Sequence, residues 1–249
     1  MAVSIKSARE IELMREAGRI LASVHDELGK ALKPGMTTLD IDRLGEKLIR
    51  SYGCIPSFKN YNGYPASICV SVNDEVVHGI PSKNRILREG DIVSLDAGVI
   101  YHGYHSDAAR THAIGTITPE AEQLIRVTRE SFFEGIKYAK AGNHLNDISS
   151  AIQAYAESFG YGVVRELVGH GIGTHLHEDP EVPNFSQKRK GIKLMPGMTL
   201  AIEPMINAGR ADVAWMDDDW TVVTDDGSLS AHYENTVLIT DGEPEILSL

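Results

Sequence analysis

The sequence lacks the features that would place the chain in a membrane or in an oxidising compartment. Its 249 residues include only two cysteines, Cys54 and Cys69, which have no CxxC spacing and are expected to be free, buried thiols in a reducing environment. No run of about 18 apolar residues occurs, so no transmembrane helix is expected. The N-terminal stretch MAVSIKSAREIELMREAG has no apolar run followed by small residues, as a signal peptide would have. We therefore expect a cytoplasmic protein.

Positive charge is scarce as well. The 24 lysines and arginines are outnumbered by 35 aspartates and glutamates, which gives a net charge of −11. This balance, with no nucleic-acid-binding motif, argues against nucleic acid or an anionic membrane surface as the main partner. Hydrophobic residues make up 42% of the chain, so a chain of this length can form its own core without disulfides or a structural metal.

The chain contains an internal repeat with an offset of 107 residues. The segment 33-KPGMTTLDIDRLGEKLIRSYG-53 aligns with 140-KAGNHLNDISSAIQAYAESFG-160. Each copy follows a segment with helical periodicity, roughly 8–31 and 119–138, and each opens a second amphipathic helix. The sequence therefore predicts that a helical pair occurs twice.

The repeat continues into the predicted strands. At the same offset, 87-LREGDIVSLDAG-98 aligns with 194-LMPGMTLAIEPM-205, which pairs Asp96 with Glu203. We expect two α/β halves related by a pseudo-twofold axis, each presenting a strand acid toward a shared centre. No flexible linker separates the halves, so they are expected to share one sheet and one core. The halves are about 8–115 and 116–249.

Two aspartates interrupt a predicted β-hairpin of hydrophobic character, 92-IVSLDAGVIYHGYHSDAARTH-112. A turn centred on Tyr101-His102 places Asp96 directly opposite Asp107 on one face of the sheet, with Cβ atoms about 5 Å apart. Aspartate is depleted in strands and costly to bury. Two carboxylates this close repel each other unless one keeps a proton or a divalent cation lies between them.

Three further side chains have the same unexpected setting. Glu203 lies in the predicted strand 199-TLAIEPMI-206, Glu234 in 231-AHYENTVLI-239 and His170 in the glycine-flanked stretch 167-LVGHGIGTHLH-177. Any one of them alone is more often a hydrogen-bonded or edge residue than a ligand. Four carboxylates and one imidazole together are the ligands that a pair of divalent ions takes, with bridging carboxylates between the ions.

The spacing of these five residues, with 62-NGYPASICVSVNDEVVHGIP-81 upstream, closely resembles that of the type I methionine aminopeptidases over nearly the whole chain. The resemblance implies an α+β pita-bread fold, in which pseudo-twofold duplicated α/β halves surround a central antiparallel sheet. It implies a single catalytic domain, residues 1–249, that hydrolytically removes the initiator methionine from nascent proteins when the second residue is small. Nascent N-termini carrying methionine are the implied partners, the implied state is a monomer, and association with the ribosome stays open.

The resemblance also implies a role for each ligand of a dinuclear metal site. Asp96 would chelate one ion, and Asp107 and Glu234 would bridge both. His170 and Glu203 would complete the coordination of the other ion. The implied cofactors are two divalent ions per chain, Co²⁺, Mn²⁺, Fe²⁺ or Zn²⁺, and the sequence leaves the choice among them open.

The implied chemistry is hydrolysis by a hydroxide that the two metal ions activate for attack on the first peptide bond. Glu203 would shuttle protons, while His78 and His177 would contact the scissile peptide and stabilise the charge that develops in the transition state. Asn73 and Ser230 match positions that hold a monovalent cation in the family. The side chains implied to bind the substrate are His78, His177, Phe58, Tyr61, Tyr64, Cys69, Leu176 and Trp220.

Three other readings are weighed against this one. A prolidase or aminopeptidase P would share the fold but is expected to carry a substantial extra N-terminal domain, whereas the first helix here is predicted to start near residue 8. A type II methionine aminopeptidase would need a large insertion in the second half. A non-enzymatic binding module would have lost ligand residues, and here all five ligands and both histidines are present.

Overall fold

The computed structural model describes residues 3–249, and its helices follow the predicted repeat. Within this range α1 begins after Ser7 and α2 after Thr37, and each of these N-caps forms a capping box with an acid three residues later. None of the helices in the described range has the length and apolarity to cross a membrane. The helices are α1 (Ala8–Ala31), α2 (Thr38–Ser51), α3 (Pro119–Ile136) and α4 (Leu145–Ser158), with one 3-10 turn at Tyr61–Gly63.

The strands of the described range form one large sheet and two small ones, and every strand pair is antiparallel. The strands are β1 (Ile55–Pro56), β2 (Ile68–Val72), β3 (Glu75–Val77), β4 (Ile92–Tyr101), β5 (Tyr104–Ala113), β6 (Gly162–Val163), β7 (Gly169–Gly171), β8 (Glu178–Val182), β9 (Thr199–Ile202), β10 (Met205–Asn207), β11 (Val213–Trp215), β12 (Val222–Thr224), β13 (Ser230–His232), β14 (Glu234–Leu238) and β15 (Glu245–Ile246). The large sheet has the order β1-β4-β5-β14-β9-β7-β8, with β2 paired to β4 and β15 to β14. The small sheets have the orders β13-β10-β6 and β11-β12-β3.

The duplication predicted from the sequence is confirmed in the backbone. The helices α2 and α4 start 107 residues apart, and so do the strands β4 and β9. Gly35 and Gly142 take the same left-handed conformation, with φ of 90° and 94°. Their N–H groups donate to equivalent carbonyls, those of Leu87 at 2.8 Å and Leu194 at 3.0 Å. Two α/β halves therefore build the central antiparallel sheet together.

The predicted register of the β4–β5 hairpin is wrong by two residues. The turn is centred on His102-Gly103, which both have positive φ, so Asp96 pairs with Ala109 and Asp107 with Gly98. The two carboxylates are diagonal neighbours rather than directly opposite. Because the shift is an even number of residues, both side chains still project from the same face of the sheet.

Two predicted strands prove to be interrupted. The stretch 199–206 divides into β9 and β10, which belong to different sheets and flank Glu203. The stretch 231–239 divides at Tyr233 into β13 and β14, again in different sheets. The chain thus leaves one sheet and joins another next to Glu203 and Glu234, a change of direction that period-two alternation does not reveal.

The two halves share the large sheet, as expected, but they do not share one core. One buried cluster takes its residues from positions 17–114, around Leu21, Ile41 and Leu95. A second lies in the other half, around Phe132, Ile152 and Leu200. The expectation of a single core is wrong because each helical pair covers its own part of the sheet. A third cluster, with Met14, Tyr64 and Leu176 among its members, draws on both halves.

Candidate metal centre and substrate pocket

Five adjacent strands of the large sheet each bring one predicted ligand to the same cavity. Asp96 lies on β4, Asp107 on β5 and His170 on β7, while Glu234 is the first residue of β14 and Glu203 directly follows β9. All five side chains line a cavity of about 210 Å³. The ligands are separated by up to 138 residues in sequence, from 96 to 234, and the strand order alone makes them neighbours.

The ligand atoms are close enough to share an ion. Suitable oxygen or nitrogen atoms of Asp107, His170 and Glu234 all lie within 4.8 Å of one another. His170 Nε2 is 4.0 Å from Asp107 Oδ2 and 3.7 Å from Glu203 Oε1. His170 Nδ1 lies 2.8 Å from the carbonyl oxygen of Gly171, to which an Nδ1–H would donate. This contact leaves the lone pair of Nε2 directed at the carboxylates, the usual arrangement of a metal-binding histidine.

The electrostatics of the site favour a bound cation. Burial raises the pKa of Asp96 to about 7 and that of Glu203 to about 8. The pKa values of Asp107 and Glu234 are raised well above the ordinary range, first by burial and then by repulsion from the neighbouring carboxylates. Asp96 Oδ1 and Glu234 Oε1 are buried without a hydrogen-bond partner. Clustered buried oxygens of this kind are the donor set that divalent ions prefer, so the residues fit a metal centre.

Apolar and aromatic side chains form the other wall of the cavity. The Tyr64 and Trp220 rings meet edge to face at a centroid distance of 5.1 Å. Cys69 is a free thiol, and burial raises its pKa well above the ordinary value. Every predicted pocket residue lines this cavity: Phe58, Tyr61, Tyr64, Cys69, His78, Leu176, His177 and Trp220.

The two predicted catalytic histidines flank the carboxylates. The His78 ring faces Trp220 at 6.3 Å between centroids, and burial lowers the pKa of His78 to about 4. The His177 ring packs against that of His170 at 4.2 Å, and burial lowers its pKa too. Both imidazoles are therefore neutral at pH 7, where each has one N–H to donate.

Asn73 and Ser230 meet outside the cavity. The N–H of Ser230 donates to the carbonyl of Asn73 at 2.8 Å. The Asn73 side chain accepts from the N–H of Ile92 at 3.0 Å and donates to Asp91 at 2.9 Å. The side-chain amide is thus already paired within the protein. A cation here would need carbonyl and hydroxyl oxygens rather than this amide.

Several residues of the site escaped the sequence analysis. Asn62, Leu167 and Val168 also line the cavity, and His232 approaches Glu203 from behind it, with Nε2 3.6 Å from Oε2. Leu167 and Val168 stand at the start of the stretch that carries His170, so adjacency in sequence could have suggested them. His232 gave no such signal, because its position beside Glu203 depends on the break between β13 and β14.

The chain is similar over its length to known metallopeptidases. Residues 12–241 match the model of metallopeptidase family M24. A methionine aminopeptidase from Clostridium acetobutylicum is 60% identical over 247 residues, covering 99% of both chains. The crystal structure of a methionine aminopeptidase from Thermotoga maritima superimposes with a TM-score of 0.97 at 45% identity, covering 99% of both chains.

An Xaa-Pro dipeptidase from Bacillus anthracis shares the fold at lower similarity. Its TM-score is 0.80 at 25% identity, and the match covers 98% of this chain but 61% of that one. The similarity to methionine aminopeptidases is higher and extends over both full lengths. The chain therefore belongs to metallopeptidase family M24, with the pita-bread fold, and within that family to the bacterial type I methionine aminopeptidases.

Proposed function

We propose that this chain is a dinuclear metalloaminopeptidase that removes the initiator methionine from polypeptides whose second residue is small. The observation that carries the proposal is the convergence of four carboxylates and one imidazole on a cavity that apolar and aromatic side chains also line. The cavity thus combines a site for cations with a slot for an unbranched side chain. The catalytic unit is proposed to be one domain of two pseudo-symmetric halves, about 8–115 and 116–249.

The metal ligands are assigned from their neighbours. Asp107 and Glu234 lie on the adjacent strands β5 and β14 and are proposed to bridge two divalent ions. Asp96 would hold one ion from β4, while His170 and Glu203 would hold the other. Co²⁺, Mn²⁺, Fe²⁺ and Zn²⁺ all suit this mixed oxygen and nitrogen set. When bound, such ions lower the pKa of water and polarise the scissile carbonyl.

The side chains around the ions complete the chemistry. Glu203, ionised once it holds an ion, is proposed to accept a proton from the attacking water and to deliver it to the departing amine nitrogen. His177 is neutral at pH 7 and would donate an N–H to the carbonyl oxygen of the scissile bond as negative charge develops there. His78 is proposed to hold the peptide from the side of Trp220.

Substrate choice is proposed to follow from the apolar wall. Phe58, Tyr64 and Leu176 are all less than a tenth exposed, so they offer a dry slot to an unbranched thioether. Burial of the methionine side chain is worth about 2–3 kcal/mol. A bulky second residue would have to lie against the crowded metal ligands, which explains a preference for small side chains at that position.

The remaining assignments are finer proposals. The working form is proposed to be a cytoplasmic monomer that acts on nascent chains, and contact with the ribosome is left to experiment. A monovalent cation is proposed beside Asn73 and Ser230, where carbonyl and hydroxyl oxygens are available. Loss of activity on replacing K⁺ by a bulky organic cation at constant ionic strength would test that site.

The proposal is tested by peptide hydrolysis. Protein freed of metal and reloaded with Mn²⁺, Fe²⁺ or Co²⁺ should release methionine from Met-Ala-Ser and barely from Met-Lys-Ser. Metal-free protein should be inactive and regain activity on reloading. Cleavage of Xaa-Pro dipeptides with Met-Ala-Ser left intact would refute the proposal, as would activity that survives complete removal of the metal.

A further inference from the structure

His232 is a buried histidine directly behind the metal centre. It is 1% exposed and ends β13, two residues before the predicted ligand Glu234. Neither of its ring nitrogens has a hydrogen-bond partner. An unpaired polar group in such a place costs about 1–3 kcal/mol, so a fully buried imidazole needs a partner that becomes available in the working protein.

The backbone of His232 is held firmly. Its N–H and its carbonyl both bond to the hydroxyl of Thr111, each at 2.9 Å. That hydroxyl is itself 2.8 Å from Ser94 Oγ. His232 also pairs with Met205 in the β10–β13 ladder. A side chain on a backbone held in this way is placed to orient a neighbouring group.

The neighbouring group is the side chain of Glu203. Its carboxylate lies between two imidazoles, with Oε1 3.7 Å from His170 Nε2 and Oε2 3.6 Å from His232 Nε2. The Nδ1 of His170 is engaged with the Gly171 carbonyl, so its Nε2 and the adjacent Oε1 of Glu203 would be the atoms that hold an ion. Oε2 is therefore left to accept a hydrogen bond from the other side, where His232 stands.

We propose that His232 is a positioning residue that donates an Nε2–H hydrogen bond to Oε2 of Glu203 and thereby holds Oε1 in the orientation of a metal ligand. The contact of 3.6 Å is longer than a hydrogen bond. A movement of the Glu203 carboxylate by less than about 1 Å would bring the two atoms within hydrogen-bonding distance. Ion binding requires Glu203 to be ionised, and an ionised carboxylate accepts a stronger hydrogen bond from the N–H of His232. Metal-ligating carboxylates are regularly held by such outer hydrogen bonds.

This inference rests on the proposed function, since it takes Glu203 to be a ligand. It is tested with His232→Gln, in which the amide can still donate to Oε2, and with His232→Leu, which cannot donate. His112→Leu is the matched control, because the His112 ring also has an unpartnered buried nitrogen and lines a cavity together with His232, away from the carboxylates. Mn²⁺ binding to metal-free protein is measured by calorimetry, alongside kcat and KM for Met-Ala-Ser and thermal unfolding of the metal-free form.

Of the two proposed Mn²⁺ ions, we expect His232→Leu to bind the weaker one about 10–100-fold less tightly than the wild type does. Its kcat should fall with little change in KM. His232→Gln should stay within about threefold of the wild type in Mn²⁺ affinity, the range of less than 1 kcal/mol. His112→Leu should bind Mn²⁺ like the wild type. Unchanged Mn²⁺ affinity in His232→Leu would overturn the inference, as would equal losses in all three variants.

The experiment also distinguishes a variant that fails to fold, and a failure of the proposed function, from a failure of the inference about His232. If His232→Leu does not fold, His232→Asn replaces it, because the shorter side chain cannot reach Oε2 and should weaken Mn²⁺ binding in the same way. Wild-type affinity in a folded His232→Asn would then refute the positioning role. If the wild type binds Mn²⁺ but releases no methionine, the proposed function fails, while the Mn²⁺ affinities of the variants still decide the role of His232.

Discussion

The hydroxyl oxygen of Tyr61 lies 2.7 Å from Nδ1 of His177, and the two rings are in contact at a centroid distance of 5.2 Å. Burial lowers the pKa of His177 and raises that of Tyr61, so both groups are neutral at pH 7. With the hydroxyl donating to Nδ1, the imidazole carries its proton on Nε2. In this arrangement, Tyr61 selects the tautomer of His177 that can donate to a substrate carbonyl.

Replacing Tyr61 by Phe should therefore lower kcat. Loss of a hydrogen bond worth about 1 kcal/mol corresponds to a decrease of about fivefold, while KM should change little because the ring that lines the cavity remains. Steady-state hydrolysis of Met-Ala-Ser measures both. Tyr104→Phe is the control, since that hydroxyl bonds to Glu10 at 2.9 Å outside the cavity. An equal effect of both variants would contradict the tautomer role.

The second prediction concerns the ligands themselves. His170→Ala and Glu203→Ala should each lose one of the two proposed ions and more than about a hundredfold in kcat, because several kcal/mol of transition-state stabilisation would depend on the proposed metal pair. Elemental analysis of the purified variants counts the ions, and circular dichroism checks the fold. His144→Ala, at the N-cap of α4 and outside the cavity, should keep both ions. A Glu203→Ala protein with two ions and full activity would exclude Glu203 from the centre.

The raised pKa values predict how metal affinity varies with pH. Burial raises the pKa of Asp96 to about 7 and that of Glu203 to about 8 in the metal-free protein. Below these values an incoming ion must displace protons, so Mn²⁺ affinity should rise between pH 6 and pH 8. Calorimetry in two buffers of different ionisation enthalpy counts the protons released. Affinity independent of pH over this range would show that the carboxylates are already ionised.

The same shifts have a consequence for stability. The folded-state pKa values of Asp96 and Glu203 exceed the ordinary values of 3.8 and 4.5, so the folded metal-free protein binds more protons than the unfolded chain. Their contribution to stability is complete below about pH 4 and is lost as pH rises through 7 and 8. Added Mn²⁺ should therefore raise the unfolding temperature more at pH 8 than at pH 6.

The proposed metal ligands could be selected from sequence because each stands where strand composition is violated locally. Asp96 and Asp107 lie within apolar stretches, and the 107-residue offset links Asp96 to Glu203. Placing them on one face needed no exact register: the hairpin is shifted by two residues from the prediction, and an even shift leaves both side chains on the same face. Periodicity thus predicts the face of the sheet that a residue occupies more reliably than it predicts the residue opposite it on the neighbouring strand.

The features that the sequence did not predict depend on changes of chain direction and on contacts between residues distant in sequence. The chain passes from β9 to β10 beside Glu203, and from β13 to β14 at Tyr233. These two breaks bring His232 to within 4 Å of Glu203. Pro204 marks the first break, since proline is disfavoured inside strands, but no local pattern marks the second, because Tyr233 continues the run of strand-forming residues. The separate cores of the two halves escaped prediction for a similar reason, since the shared sheet hides which helices cover which strands.

One further contact supports the segment that carries His177. Lys6 Nζ lies 2.6 Å from Oε2 of Glu178, with the side chains 5% and 11% exposed, and Ser4 bonds to the same oxygen at 2.6 Å. The N–H of His175 donates to the other oxygen, Oε1, at 3.2 Å. Burial raises the pKa of Glu178, but the hydrogen bonds from Lys6 and Ser4 outweigh it and hold the pKa at about 2. The N-terminal segment is thereby tied to the residue next to His177.

Lys6→Met should therefore lower both the stability of the protein and its kcat. Removing one partner of a buried pair leaves an uncompensated charge, which costs about 3 kcal/mol in the free energy of unfolding, and a looser Glu178 allows His177 to leave its place, lowering kcat. Because the pKa of Glu178 lies below its ordinary value of 4.5, the stabilisation is present above that pH and is lost as pH falls toward 2. Urea unfolding of wild type and variant at pH 7 and pH 3 measures the difference, which should shrink at the lower pH. The double variant Lys6→Met/Glu178→Gln should recover part of the stability, because no charge is left unpaired. A Lys6→Met protein as stable as the wild type at pH 7 would show that this ion pair adds nothing to the fold.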